Sequence, residues 1–407
     1  MGYSGARGGL DAILAAEDLV RRSRDQSPAP WAPTEQVIAR FRLAVDRVMG
    51  EAGLYDEGSA AAAFRQAEGD PLEASHLLRA YRSTLPRLAV GEPVDPDELL
   101  ILRRIVPAFR EPDGPQLLGR TTDYTGRLLE KPTTRPTPTG TTNGTTNGTA
   151  NGTANGTANG TTNGTANGTA NGTTNGTANR ATSTRVRTDA QRHPRRFLDL
   201  LRELDLAVDH RDGTDPEPFD ITRSPARPPA PRSAALAAMA RAETGALVAL
   251  WYRSILGPDG DLHEVTLGEV RHGRLPLRVR HPHTGNPVQI GEFRVTEAEA
   301  IEDLDGVEED RSRFDVGYGL CFGHNERKAI AMANLDIANR RFGRNGPLEQ
   351  LLLLTTDGLD SGGFLEHLKL PHYVTFRSMV ERKQALQANA RNGEEPARRS
   401  EPAGRAC

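Results

Sequence analysis

The stretch Val265-Thr-Leu-Gly-Glu-Val-Arg-His-Gly-Arg-Leu-Pro-Leu-Arg-Val-Arg280 decides the fold class, because its apolar residues mostly alternate with polar ones. The alternation resumes over residues 288–295. A period of two is typical of strands that bury one face. Turn-forming residues stand at Pro258-Asp-Gly, His272-Gly and Thr284-Gly-Asn-Pro. We therefore predict a meander of short antiparallel strands over residues 262–296.

Helical patterns flank this region on both sides. Residues 8–22 and 34–51 carry apolar residues at helical spacing, and an Asp or Pro opens each of the segments 57–68, 71–84 and 95–108. The pattern beyond these segments predicts helices over 194–208, 233–254, 297–303 and 329–342, a buried strand over 351–354 and a charged helix after Glu381. Helices together with an antiparallel meander predict an α+β fold.

A repetitive insert divides the chain. Asn-Gly-Thr recurs every four residues from Asn143 to Asn175, without a charged residue between Arg135 and Arg180. Such a segment has no apolar surface to bury, which favours a flexible linker. We predict a helical N-terminal region (1–131), a disordered linker (132–182), an α+β C-terminal region (183–381) and a charged tail (382–407).

Composition narrows the class of protein. The net charge is −3, from 51 basic and 54 acidic residues, so no bulk field points to nucleic acid or to a membrane surface. No apolar run of about 18 residues is present, which predicts no membrane span. The only cysteines are Cys321 and Cys407, and no secretory signal opens the chain. We expect a cytoplasmic protein without a disulfide framework.

The segment Gly317-Tyr-Gly-Leu-Cys-Phe-Gly-His-Asn-Glu-Arg-Lys-Ala329 holds the densest group of candidate functional residues. Three glycines lead to a helix start, where free N–H groups attract phosphate, and Arg327 and Lys328 add positive charge. These residues, with Tyr318, are candidate substrate ligands. The alternative is a glycine-rich turn that packs a strand against a helix, with a solvated Glu-Arg-Lys end.

His367 and His372 form a second candidate site. Residues five apart do not share a helix face, but Pro371 ends a helix and allows the chain to return, so that both imidazoles could reach one metal ion. Zinc needs three or four ligands. A metal site would therefore take ligands from another segment, from a partner subunit or from the substrate; otherwise the histidines are ordinary polar or interface residues.

Two weaker groups complete the candidates. Asp123 and Tyr124 lie in a polar loop and could bind a ribose or phosphate, although capping of the next helix explains them equally well. Arg79 and Arg82 stand three apart near a predicted helix end, where they are either anion ligands or cations that the helix dipole favours.

Taken together, the motifs resemble the PhnI subunit of the carbon–phosphorus lyase core complex. The matching stretches occur in family order outside the insert and tail: Leu43-Ala-Val-Asp-Arg-Val-Met49, Leu77-Leu-Arg-Ala-Tyr-Arg-Ser-Thr-Leu85, Gln116-Leu-Leu-Gly119 with Asp123-Tyr-Thr125, Asp220-Ile-Thr-Arg223, Gly317-Tyr-Gly-Leu320 with Glu326-Arg-Lys-Ala329, and His367-Leu-Lys-Leu-Pro-His-Tyr373.

The resemblance implies a specific reaction. With PhnG, PhnH and PhnJ subunits, the family displaces adenine from ATP with an alkylphosphonate such as methylphosphonate, and the product is α-D-ribose 1-methylphosphonate 5-triphosphate. The isolated subunit is expected to act as a nucleosidase on ATP or GTP. The resemblance also implies that His367 and His372 bind zinc near the boundary with PhnJ.

Two alternative functions stay open at this point. One is a non-catalytic scaffold of the same complex. Two departures from the family pattern favour it: Gly126 stands where the family has a histidine, and Thr355-Thr-Asp-Gly358 stands where it has a His-x-Asp-Asn run. The other is a stand-alone purine nucleosidase, in which Asp123 or Asp357 would activate water.

Overall fold

The computed structural model describes residues 10–28, 30–121, 194–208, 217–256, 265–303, 312–341, 345–359 and 377–391. The chain divides into two compact units that are each assembled from separate segments. The first unit comprises residues 1–87, 212–262 and 319–407, and the second comprises residues 88–211 and 263–318. The predicted division into an N-terminal region, linker, C-terminal region and tail stays a prediction.

The first unit is helical. Its helices within the described ranges are α1 (Leu10–Asp25), α2 (Thr34–Arg40), α3 (Arg42–Ala52), α4 (Glu57–Gln66), α5 (Pro71–Thr84), α7 (Arg232–Arg241), α8 (Thr244–Leu256), α9 (Glu326–Arg341), α10 (Pro347–Leu354) and α11 (Arg377–Arg391). The predicted helix starts at α4 and α5 are confirmed. The Asp56 side chain accepts from the Ser59 N–H at 2.8 Å, and Asp70 caps α5, whose first residue is Pro71.

Apolar side chains from α2 to α5 form one core of this unit. Val45, Val48, Met49 and Leu78 are almost fully buried there, with small alanines of α4 between them. Burial of such side chains contributes about 1.5–3 kcal/mol each. Helix α9 packs against α7 and α8 and buries most of its length. These contacts fix the first turn of α9, which carries Arg327 and Lys328.

The second unit is built on an antiparallel sheet in the order β1-β2-β3-β4. Its strands are β1 (Leu100–Ile105), β2 (Val265–Arg280), β3 (Pro287–Asp303) and β4 (Phe314–Phe322), and α6 (Phe197–Glu203) packs against β2. Residues 319–322, at the end of β4, are part of the first unit. Because the structure combines helices with an antiparallel sheet, the predicted α+β fold class is confirmed.

The strand region differs in detail from the predicted meander of short strands. β2 and β3 are long and pair along most of their length. Of the two predicted turns that lie within the described residues, the one at Thr284-Gly-Asn-Pro is present, with Gly285 at φ +71°. The predicted turn at His272-Gly is wrong, because Gly273 lies inside β2. A Cβ there would lie 2.3 Å from the Leu100 carbonyl oxygen, so this glycine permits the close approach of β1. The predicted turn at Pro258 lies outside the described residues.

Two predicted helices prove to be strands in part or entirely. Residues 95–108 begin with a short 3₁₀ turn, Pro96–Glu98, and then form β1 instead of a helix. Residues 297–303 belong to β3. In both segments charged residues with good helix propensity are buried against ion partners in the sheet, as Arg104 is against Glu269 at 2.6 Å. Tertiary partners have overridden local propensity.

Two further predictions need correction. Residues 351–354 are the end of α10 and not a buried strand, and Pro347 at its first turn is the helix-start signal. The predicted helix over 34–51 is interrupted at Phe41, which has φ −112° and ψ 35°. The Phe41 ring lies 5.9 Å from the ring of Phe64 on α4. The remaining predicted helices agree with the structure to within a few residues where the structure describes them, except that residues 233–254 form two helices, α7 and α8.

Candidate functional site

The turn between β4 and α9 is held by close backbone packing. A Cβ on Gly319 would lie 2.2 Å from the Ala329 carbonyl oxygen, and one on Gly323, at φ +71°, would lie 2.6 Å from Asp46 Cβ. The Asp46 carboxylate accepts from the His324 N–H at 3.0 Å. Both glycines are therefore required for packing within the first unit. This geometry favours the packing interpretation of the segment over a phosphate-binding loop.

The start of α9 is capped from within the chain. The Asn325 side-chain oxygen accepts from the Lys328 N–H at 3.2 Å, while its amide donates to Thr244 Oγ1 at 2.9 Å. Cys321 is buried below this turn, and burial raises the pKa of its thiol to about 11, so that it stays protonated at neutral pH. The capping side chain occupies part of the N-terminal position at which a phosphate was predicted to bind.

Arg327 and Lys328 occupy different environments although they are adjacent in sequence. Arg327 is exposed, whereas Lys328 is 1% exposed. Within the described part of the chain, Lys328 Nζ has no hydrogen-bonding partner. Burial lowers the pKa of Lys328, against the attraction of Cys321 and Glu51. The two predicted ligands are therefore not brought together on one surface.

Glu51 is a buried carboxylate whose charge acts on Lys328. Its Oε1 accepts from Arg47 Nε at 2.8 Å, from the Thr244 N–H at 3.0 Å and from Thr244 Oγ1 at 2.8 Å. Its Oε2 has no partner in the described ranges. Arg47 also pairs with Glu243. The unsatisfied oxygen of Glu51 and the unsatisfied ammonium of Lys328 thus belong to one polar cluster in the first unit.

Arginines surround Asp357 at the other end of this cluster. Arg79 donates to both carboxylate oxygens of Asp357, at 3.1 and 2.9 Å, and Arg241 Nε lies 2.8 Å from Oδ2. Arg79 also donates to the Glu51 carbonyl at 2.6 Å. Among the described residues, Arg82 donates to the Gly53 carbonyl alone, at 3.2 Å. Burial lowers the pKa of Arg82, and the charges of Arg79 and Arg241 lower it further.

Tyr318 lies in a separate network within the second unit. Its hydroxyl donates to Glu297 at 2.7 Å, and burial together with this carboxylate raises the pKa of the phenol well above its usual range. Glu297 also pairs with Arg271 and, at 3.4 Å, with Arg196. The phenol therefore already has a strong internal acceptor.

The same network holds a carboxyl group, that of Glu299, whose pKa is raised. Arg196 NH1 lies 2.6 Å from Glu299 Oε1, yet burial raises the pKa of Glu299 because desolvation outweighs the arginine. Burial alone would lower the pKa of Arg196, but Glu297 and Glu299 raise it overall. Asp97 completes the network as a further partner of Arg196. The arrangement neutralises buried charge inside the unit, as a structural ion network does.

Four predicted site residues lie outside the described residues: Asp123, Tyr124, His367 and His372. Among the residues that the structure does describe, no group of three potential metal ligands is present. The zinc and ribose predictions for these four positions therefore stay predictions.

Sequence reasoning missed five members of the polar cluster: Arg47, Glu51, Arg241, Glu243 and Thr244. One signal was available for Glu51. Acidic residues at positions 46 and 51 fall within the apolar segment of α3, and both are buried at 2% exposure or less. A carboxylate on the buried side of an amphipathic helix requires an internal cation. No comparable signal marks Thr244 or Arg241, whose roles depend on contacts distant in sequence.

Comparison with known proteins identifies the class first. A family model described as "Bacterial phosphonate metabolism protein (PhnI)" matches residues 2–390. The chain belongs to this PhnI family. Two similar proteins are named "Alpha-D-ribose 1-methylphosphonate 5-triphosphate synthase subunit PhnI". The one from Escherichia coli strain K12 is 35% identical over 96% of this chain and 100% of its own length. The one from Rhizobium meliloti strain 1021 is 34% identical over 96% of this chain and 98% of its own length.

A third relative comes from Stutzerimonas stutzeri. It is 38% identical over 96% of this chain and 97% of its own length, and it is described as a candidate C-P lyase subunit, HtxH. Within the described ranges, no helix has the length and apolar character required to cross a membrane.

Proposed function

We propose that this chain is the PhnI-type subunit of a carbon–phosphorus lyase core complex and displaces adenine from ATP with an alkylphosphonate. With methylphosphonate the product is α-D-ribose 1-methylphosphonate 5-triphosphate. The observation that carries the proposal is the near-complete alignment with two relatives that bear the name of this synthase subunit, at 34–35% identity. PhnG-, PhnH- and PhnJ-type subunits are the proposed partners.

The reaction sets clear physical demands on the site. The phosphonate must be held in line with the anomeric carbon of the ribose, which develops oxocarbenium character while the C–N bond to adenine breaks. The departing base takes the electron pair of that bond and needs a hydrogen-bond donor or a proton. Charged groups that bind the phosphonate and the triphosphate supply the positioning.

Adenine release separates this function from its alternatives. The purified chain is incubated with ATP, with and without its partner subunits and methylphosphonate, and free adenine is measured. Adenine that appears only in the full mixture supports the synthase, adenine from the chain alone supports a nucleosidase, and none in any mixture supports a scaffold. The nucleosidase alternative is weakened for Asp357, because Arg79 and Arg241 already occupy both oxygens that would activate water.

We further propose that His367 and His372 bind a zinc ion that other ligands complete. Two imidazoles suit zinc, which accepts nitrogen donors and needs three or four ligands in total. A bound zinc ion would supply Lewis-acid chemistry.

His367→Ala and His372→Ala are each expected to lower the zinc content of the assembled complex, measured by elemental analysis, because each removes one donor. His281→Ala, on an exposed turn of the second unit, is the matched control and should retain the zinc. Full zinc occupancy in both His367→Ala and His372→Ala would rule out this site.

A further inference from the structure

Two cations of the first unit have no carboxylate partner among the described residues. Lys328 is buried, and its Nζ makes no hydrogen bond there. Arg82 is partly buried and donates one hydrogen bond, to a backbone carbonyl. Gly53 makes room for this arginine, since a Cβ at that position would lie 2.5 Å from Arg82 NH1. The Arg82 guanidinium thus lies against the end of α3, and most of its donors have no acceptor in the part of the chain that the structure describes.

The surroundings of these two cations carry excess positive charge. We call the eight side chains that interact here the α3–α5–α9 cluster; they are Arg47, Glu51, Arg79, Arg82, Arg241, Glu243, Lys328 and Asp357. Three of its arginines pair with its three carboxylates. Arg82 and Lys328 remain as the surplus cations, and both interact with the charge of Asp357.

Retention of an unpaired lysine at this position is costly for a folded protein. An isolated ammonium loses its hydration on burial, and the group partly avoids this cost by losing its proton. The groups that act on Lys328 are Cys321 on β4, Glu51 and Arg47 on α3, and Asp357 after α10. Burial outweighs the groups that raise the pKa of Lys328, so this pKa stays lowered. A methionine would fill the same volume without this penalty, so stability does not explain the lysine.

We propose that Arg82 and Lys328 are the ligand-binding cations of an oxyanion site that receives a phosphoryl or phosphonyl group. Arg82 contacts the anion at the partly exposed edge of the cluster, and Lys328 neutralises it at the buried end. When the anion arrives, the Lys328 ammonium gains the partner that it lacks and forms a charge-assisted hydrogen bond with it. The site follows from the charges of the cluster, while its use for phosphonate or triphosphate rests on the proposed function.

The test measures binding to the full-length chain. Inorganic phosphate and methylphosphonate are titrated calorimetrically against a chloride blank of equal ionic strength. We expect wild type to bind both oxyanions in preference to chloride. Arg82→Gln should weaken binding at least tenfold, and so should Lys328→Met. Its melting temperature should equal or exceed that of wild type, because a costly buried amine has been removed.

Arg22→Gln is the matched control. It removes the same charge as Arg82→Gln from α1, where Arg22 is 68% exposed, and it should bind both oxyanions as wild type does. Wild-type affinity in Arg82→Gln and Lys328→Met, or no oxyanion binding to wild type, would overturn the proposal. If Lys328→Met does not fold, Arg82→Gln alone decides.

The outcome is independent of the adenine-release assay. If the chain binds phosphate through Arg82 and Lys328 but releases no adenine in the complete mixture, the oxyanion site is supported and the synthase proposal is contradicted. If the complex releases adenine normally with both variants, the synthase proposal is supported and the oxyanion site is contradicted.

Discussion

Glu297→Ala is expected to lower the free energy of unfolding by roughly 3–5 kcal/mol, the usual cost of removing one partner from a buried ion pair. Glu297 is 1% exposed, forms ion pairs with Arg271 and Arg196, and accepts a hydrogen bond from the Tyr318 hydroxyl. Its removal leaves two guanidinium groups short of negative charge in the interior of the second unit. Urea denaturation, followed by circular dichroism, measures the effect.

Glu292→Ala provides the comparison on the same strand. Glu292 is 46% exposed and lies 3.6 Å from Arg274, which is also exposed. Removal of such a surface pair should cost at most about 1 kcal/mol. Equal losses in Glu297→Ala and Glu292→Ala would show that the buried network contributes no more than a surface ion pair.

This network also shows why part of the fold could not be predicted from the sequence. Arg104, Glu297 and Glu299 are charged residues in segments without clear alternation, and their local pattern favours helix. They lie in strands because each finds an ion partner 100 or more residues away, or on the neighbouring strand. Local periodicity carries no information about such partners. Where burial alone sets the pattern, as in α4, α5 and α9, the predicted helices are confirmed.

The candidate site could likewise be predicted from the sequence only in part. The sequence identified Arg79, Arg82 and Lys328 as candidate anion ligands, because their charge and helical position are local properties. It could not separate Lys328 from Arg327, since adjacent residues at a helix start look alike until the packing of α9 buries one and exposes the other. It also could not supply Glu51 or Arg241. Their part in the cluster depends on how α3, α5, α7 and α9 approach one another.

Gly319→Ala is expected to destabilise the first unit by roughly 3 kcal/mol, at the upper end of the usual cost of overpacking. The added Cβ would meet the Ala329 carbonyl oxygen at 2.2 Å and Met332 Cβ at 2.6 Å. A backbone carbonyl cannot rotate away as a flexible side chain does, so β4 and α9 must separate. Chemical denaturation of the full-length chain measures the loss.

Gly291→Ala on β3 is the matched control, because a Cβ there meets nothing within 4 Å. It should change stability by no more than about 0.5 kcal/mol. The pair of variants also separates the two interpretations of the glycine-rich segment. If Gly319 serves packing, its substitution lowers stability and, by shifting α9, also weakens oxyanion binding at Lys328. If Gly319 instead lines a phosphate-binding loop, its substitution weakens binding while stability stays at the level of Gly291→Ala. Since the obstructing atoms belong to α9 itself, we expect the first result.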